Sequence, residues 1–519
     1  MKLNYKRTVF VGFAFFLICS FWQAYDNTIP LILTNKFGMS QAWSGVIMAL
    51  DNVLALFMLP LFGAISDKHH SKWGRRTPFI VVGTLVAAVM LIALSFVDNA
   101  QLKHLSDVSA IDDPAALEQI YDQQADETLL TPGGDKFVLS QKFTQEEFCQ
   151  IRSQVEQNGS TVTNPDYTNY VVPARQACAW DATAKSPVTL VFFIVLLLIV
   201  LVSMAVFRSP AVALMPDVTL KPLRSKANAI INLMGAVGGI LYLLITTFLY
   251  HVRSETYVSF FPLFAIVAGI MAAALAVVMF FVNEPELVKK QQEYDRKHPE
   301  DDLTEHTAQG DTLPADVKKS LAFLLVSISL WFVGYNGVST WFSVYAENIW
   351  GMSLGQANTC LTIATGGAIL SYIPIGTVAS RIGRRKTIRF GALLLSGSFL
   401  AAFLLTMALE GFSPVLYVLF LLVGLAWASI NVNSLPMVVE MCKGSEVGKF
   451  TGLYYTFSMS AQIITPIVAG WLLRNVSYRA LFPYAAVFVF ASFLTMGFVR
   501  HGDNKVPAKK GLEAYDVED

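Results

Sequence analysis

The chain has 519 residues, of which 54% are hydrophobic and only 15% charged, against about 25% charged in an ordinary soluble domain. Its 38 basic and 38 acidic residues balance, which argues against a nucleic-acid partner. Five cysteines without a CxxC pair exclude the usual metal-cluster and dithiol motifs.

The apolar residues fall in long runs. Pro187 to Phe207 is uncharged, and its roughly 20 residues match the thickness of a bilayer core. The same reading places spans at 8–34, 42–66, 77–98, 187–207, 227–250 and 258–282. After a polar linker come 320–346, 355–379, 387–409, 414–439, 450–473 and 480–499. The first run follows Lys2, Lys6 and Arg7 and is too long for a signal peptide, so it reads as span one. With the N-terminus inside, 28 of the basic residues fall on the cytoplasmic side. The short outer loops keep Lys36, Arg253, Arg474 and Arg479, so both termini are expected in the cytoplasm of a cell (plasma or inner) membrane. On this reading no basic residue lies inside a span.

Two internal repeats follow. Gly63-Ala-Ile-Ser-Asp67 leads to Gly74-Arg75-Arg76, and Gly376 leads to Gly383-Arg384-Arg385, with the Gly-Arg-Arg copies 309 residues apart. Asp217 to Lys226 returns as Glu440 to Lys449, 223 residues on. The difference of 86 points to an insertion in the first half, visible as the polar stretch 99–186. The expected architecture is an all-α membrane protein with twelve transmembrane helices in two pseudo-symmetric six-helix bundles. The first half is 1–282, the linker 283–319, the second half 320–500 and the tail 501–519. Linker and tail are charged and read as solvated tethers.

The insertion holds 13 acids and 6 bases, a net charge of −7. Thr144-Gln-Glu-Glu147 reads as a capping box opening a short helix, with Phe148, Ile151 and Val155 on one face. Pro132-Gly-Gly-Asp135 reads as a turn. The segment is either a small ordered cap or an insertion with no part in transport. Its only cysteines, Cys149 and Cys178, lie on the oxidising side and are expected to form a disulfide. The sequons at Asn158 and Asn475 say nothing without the host.

The stretch Asp67 to Phe79, with Gly63, resembles the loop motif of the major facilitator superfamily. Gly74-Arg75-Arg76-Thr77-Pro78-Phe79-Ile80 is similar to the sucrose-transporter-like branch. So is Ser209-Pro-Ala-Val-Ala-Leu-Met-Pro-Asp217, followed by Ala227-Asn228-Ala229. The resemblance implies secondary transport of a disaccharide or glycoside, usually with protons. Two departures stand out. Plant sucrose transporters carry an acid in span four where Leu201 stands here, and melibiose-type relatives carry span-two acids at the positions of Ala55 and Leu59.

The coupling chemistry must therefore come from this chain's own acids. Only Asp26 and Asp51 lie well inside the predicted spans, both about 12–14 Å below the outer face at about 1.5 Å per residue. A carboxylate in lipid costs roughly 2.5–3.5 kcal/mol on insertion scales, so it normally faces a cavity and serves a function. Burial and a like charge both disfavour ionisation, which suits a proton carrier. The alternative is that each is merely hydrogen-bonded to Asn27, Asn52 or a backbone group.

Sugars need apolar faces for their C–H surfaces and amides or hydroxyls for their OH groups. Trp22, Gln23 and Tyr25 on span one, Asn336 and Trp341 on span seven, and Asn431 and Asn433 on span ten are the candidate substrate residues. Trp331, Tyr335, Trp427, Tyr454, Tyr455 and Gln462 are weaker candidates, since aromatics also pack and sit at interfaces. Gly63, Asp67, Arg75, Arg76, Asp217, Arg384 and Arg385 form the candidate gate. No metal site, cofactor or nucleophile–base pair stands out, so no enzyme is expected. The reading is a monomeric proton-coupled sugar symporter working by alternating access. The alternatives are a sodium-coupled glycoside symporter, an exporter of amphipathic compounds, and a non-transporting sugar sensor.

Overall fold

The computed structural model describes residues 3–131, 135–157, 160–249, 257–297, 313–350, 354–409, 413–442 and 446–503. Most of the predicted turn at 132–135, Asn158 of the first sequon, Arg253, linker residues 298–312 and the tail from 504 lie outside them. Among the described residues, twelve helices are long and apolar enough to cross a membrane. The first six spans are Tyr5–Leu31, Gln41–Lys68, Thr77–His104, Val188–Val218, Arg224–Leu249 and Phe261–Phe281. The second six are Ala315–Trp350, Leu354–Ile382, Arg384–Ala408, Val415–Val439, Val447–Asn475 and Leu481–Thr495. Helix is the form an apolar run takes in lipid, because each N–H and C=O must find its partner within the segment.

Several helices overshoot the apolar runs, and the overshoot changes the charge inventory. Span four continues from Phe207 through Arg208 to Val218, so Arg208 lies inside a spanning helix. Span one continues as a π-helical turn, Ile32–Lys36. Lys36 is fully buried and ion-paired with Asp98 of span three at 2.7 Å, and its ammonium also donates to the Val258 carbonyl at 2.7 Å. The expectation that no basic residue lies inside a span is thus corrected.

In the first bundle, span one packs on five and six, three on four and six, and two on four. In the second, seven packs on eleven and twelve, nine on ten and twelve, and eight on ten. Between bundles, two runs along eleven and five along eight. At the crossing of two and eleven, a Cβ on Gly63 would stand 2.1 Å from the Gly448 carbonyl oxygen, so only glycine permits this approach. The face carrying Leu3 and Asp503 is here the terminal face, and the face carrying the insertion is opposite.

The insertion has a core of its own, including Leu117, Ile120, Phe148, Ile151, Val171 and Cys178. The capping box at Thr144 and Glu147 forms as read, opening a helix at Gln145–Cys149. Val155 is not on that helix; it lies in a hairpin strand, Gln154–Gln157. The last insertion helix, Val172–Lys185, is bolted to the first bundle. Gln176 donates to Asn35 at 2.7 Å, and Gln101 donates to the Lys36 carbonyl and to Thr183, each at 2.9 Å.

The expected disulfide is not formed: Cys149 and Cys178 are both free thiols. They address different faces of the helix Pro114–Gln124. Cys149 feels the charges of Glu118 and Asp122, whereas Cys178 meets Gln124 and Asp181. Burial pushes the Cys178 thiol up to about 12 and raises Cys149 as well, which keeps both protonated and poorly reactive.

Candidate translocation site and gate

Span one is flanked by four, five and six within its own bundle, so its remaining side faces the space between bundles. Asp26 and Asn27 lie on it and are exposed. Among the described residues, the hydrogen bonds between bundles that involve backbone groups or Ser225 fall on the terminal side of Asp51. They join Thr456 to Leu56, Asn228 to Val432, Asp67 to Gly448, and Arg384 to Ser225. The space beside Asp26 is therefore closed toward the terminal face among the described residues.

Asp26 and Asp51 act on each other electrostatically, and Arg208 acts on both. Tyr25 lies beside the two carboxylates and donates its hydroxyl to the Met48 carbonyl at 3.2 Å, which ties span one to span two. Asn52 donates to Asp51 at 2.9 Å, while Asn27 bonds to Gln23 and leaves Asp26 to the open space. The guanidinium of Arg208 stands over Trp22 of the first bundle at 5.2 Å and over Tyr455 of the second at 5.0 Å. This cation is the functional residue that the sequence reading missed. The apolar run Pro210–Ala213 beyond it, continuing toward Asp217, was the available signal that the helix goes on.

The predicted substrate residues divide. Trp22 and Gln23 are half-buried at the same level as Arg208 and Asp26. Asn336 is half-buried with an amide nitrogen that has no partner, and Asn431 bonds to the Tyr372 side chain beside the inter-bundle contact with Asn228. Three others are held in contacts within the helices. Asn433 is fully buried and donates to the Ser429 carbonyl; two residues from Asn431, it points about 200° away around the helix, so both cannot face one cavity. Trp341 donates to the Pro466 carbonyl and packs on Gly470 of span eleven. Tyr25 is buried with its hydroxyl spent on Met48. A separate recess of about 180 Å³ lies inside the second bundle, lined by residues such as Ser339, Thr365 and Phe399, and Tyr335 is the one weaker candidate that reaches it.

At the terminal face the two repeated motifs meet their repeated acids. Arg75 donates to both oxygens of Asp217, at 2.7 and 3.1 Å, and Arg76 to one at 2.8 Å. Arg76 also pairs with Asp67. Asp67 in turn accepts the backbone N–H groups of Gly448 and Lys449, each at 2.8 Å, at the start of span eleven in the other bundle. A carboxylate suits that helix N-terminus, whose first N–H groups lack partners. In the second copy, Arg384 pairs with Glu440 and donates across to Ser225 at 2.7 Å and the Lys221 carbonyl at 2.6 Å. Arg385 departs from expectation: it bonds to the Gly497 carbonyl of its own bundle and, among the described residues, reaches no acid.

Two further acids were missed. Glu284, after span six, accepts the N–H groups of Arg75, Arg76 and Thr77 and the Thr77 hydroxyl. Asp503, after span twelve, accepts the Arg384 N–H. Each caps the third helix of its bundle.

The chain matches the Major Facilitator Superfamily over residues 176–354 and 346–515, about two thirds of its length. It belongs to that superfamily. Residues 11–104 also match the family described as MFS/sugar transport protein. A stretch of 59 residues is 37% identical to sucrose transport protein SUC4 of Arabidopsis thaliana, covering 11% of this chain and 12% of that protein. Sucrose transport protein SUC3 of the same plant is 39% identical over 67 residues, 13% of this chain and 11% of that protein. The chain thus spans only about a tenth of the length of these relatives. In fold, the superfamily transporter FucP, crystallised in an outward conformation, is similar with a TM-score of 0.62 at 11% identity, over 96% of this chain and 100% of that one. The proton:xylose symporter XylE, bound to 6-bromo-6-deoxy-D-glucose, gives 0.56 at 13% identity, over 96% and 97%. These structural likenesses show a shared fold.

Proposed function

We propose that this superfamily transporter is a proton-coupled symporter of a disaccharide or glycoside, acting as a monomer by alternating access. The terminal face is the cytoplasmic one, on the count of basic residues, so the conformation described is open to the outside. The observation that carries the reading is the cluster of Asp26, Asp51 and Arg208 in the space between bundles. A carboxylate there can take a proton from one side and release it to the other. Arg208 offers an internal cation that competes with the proton for the same carboxylates. Trp22, Gln23, Asn336 and Asn431 supply an aromatic face and amides for an uncharged polar solute. The sucrose transport proteins of Arabidopsis thaliana and the sugar-family match over 11–104, which contains both acids, support a sugar as that solute.

Solute counterflow tests the substrate without requiring coupling. Purified protein in vesicles preloaded with unlabelled sucrose, maltose or a related glycoside should take up the labelled compound transiently. Counterflow with an amphipathic cation and with none of the sugars would replace this reading by the exporter.

A further inference from the structure

The freed arginine of the second Gly-Arg-Arg copy stands in a basic patch that the gate does not use. Arg385 and Arg389 lie one turn apart on span nine and face span twelve. Arg385 donates to the Gly497 carbonyl at 2.6 Å, and Arg389 lies over the Phe493 ring at 4.6 Å. The Nε atoms of both are shielded from solvent and have no partner. Lys386 and Arg500, at the same end, are exposed. Among the described residues no acid pairs with Arg385, Lys386 or Arg389; the nearby acids Glu440 and Asp503 are engaged by Arg384. Immediately toward the membrane interior, Phe390, Leu393, Phe490, Leu494 and Phe498 are exposed and present an apolar surface along spans nine and twelve.

The first bundle has no such patch. The positions 309 residues earlier are Arg76, Thr77 and Ile80. Arg76 is consumed by Asp67 and Asp217, and Ile80 is fully buried. The second bundle has thus placed two half-exposed guanidinium groups, each with a shielded Nε–H, above an exposed apolar strip.

We propose that the ends of spans nine and twelve at the terminal face form a binding site for the headgroup of an anionic phospholipid. Arg385 and Arg389 grip the phosphate, Lys386 and Arg500 supply long-range attraction, and the acyl chains lie along the exposed Phe and Leu side chains. Charge and geometry agree on this occupant: a free anion would use the guanidinium groups but leave the apolar strip unexplained. Basic pockets between helices at a membrane surface are suited to such headgroups.

The test uses the full chain in neutral detergent, titrated with short-chain phosphatidylglycerol, short-chain phosphatidylcholine and inorganic phosphate, with bound lipid read by native mass spectrometry. Phosphatidylglycerol should bind more tightly than phosphatidylcholine. Each of the two gripping arginines should contribute about fivefold, so Arg385→Gln/Arg389→Gln should lose about thirtyfold. Because Arg389 also covers Phe493, the exposed double variant Lys386→Gln/Arg500→Gln serves as a second probe that leaves the packing alone, with a smaller loss. Equal binding of the two lipids by the natural protein overturns the proposal. So does unchanged binding by both variants. Displacement of the lipid by inorganic phosphate as readily as by a second phospholipid would mean a simple anion site, and also overturns it.

Discussion

The two Gly-Arg-Arg copies start from the same sequence and end in different chemistry. In the first, both arginines enter one acid network, and Asp67 carries that network across to span eleven. In the second, among the described residues only Arg384 meets an acid, and Arg385 turns back to its own bundle. One position accounts for the difference. Gly63 and Asp67 correspond to Gly376 and Ser380, and Ser380 only donates back to the Gly376 carbonyl. Without an acid at the end of span eight, the second arginine has nothing to hold it at the gate. A repeated motif therefore fixes where cations stand, and the neighbouring acid decides what they do.

The largest expected effect is at the shared acids. Asp217→Asn leaves Arg75 and Arg76 facing a neutral group, and breaking a buried ion pair costs about 3–5 kcal/mol. Glu440→Gln should cost less, because Arg384 keeps Ser225 and the Lys221 carbonyl. Thermal unfolding in detergent would compare them, and equal losses would break the asymmetry. Next comes the latch. Asp67→Asn removes a charged acceptor from two backbone N–H groups, each such bond being worth about 1.5–3 kcal/mol. The terminal gate should open more often, turnover should slow, and substrate affinity should change less. Ser380→Ala should leave turnover unchanged, and wild-type turnover in Asp67→Asn would reduce the motif to a topological signal.

The caps come third. Loss of a helix cap costs about 0.5–2 kcal/mol, with Glu284→Gln near the upper end and Asp503→Asn near the lower, since Glu284 satisfies more donors. Chemical denaturation of the two variants would rank them, and the reverse order would deny the parallel between them. The smallest effect is the most pointed. Ser380→Asp restores the missing acid and should draw Arg385 from Gly497, weakening anionic-lipid binding about fivefold. Binding equal to that of the natural protein would show that the acid does not decide the arginine's direction.

The twelve spans and the repeat of the motifs were legible because membrane helices announce themselves as long uncharged runs. The ends were not, since hydropathy stops at the first charge while the helix does not. Lys36 and Arg208 were lost for that reason, and each is held inside by a partner distant in the chain: Asp98 for one, Trp22 and Tyr455 for the other. Asn433 was misplaced by counting residue types along span ten without applying the helix period. The thiols of Cys149 and Cys178 were paired by compartment and count, and neither carries the direction in which a side chain points. Arg75, Arg76 and Asp217 were readable together because each recurs in the second half, and the structure brings them into contact, with the unrepeated Asp67 beside them.

The central claim is that the carboxylates of Asp26 and Asp51 carry the coupling proton. The most direct test is accumulation of labelled sugar against its gradient in reconstituted vesicles, driven by an imposed proton gradient and then by a sodium gradient. The natural protein should accumulate sugar with the proton gradient. Asp51→Asn should lose accumulation while keeping exchange, because proton and sugar must each raise the other's affinity for coupling to occur. Asp26→Asn should weaken both. Full proton-driven accumulation by Asp26→Asn/Asp51→Asn would contradict the account.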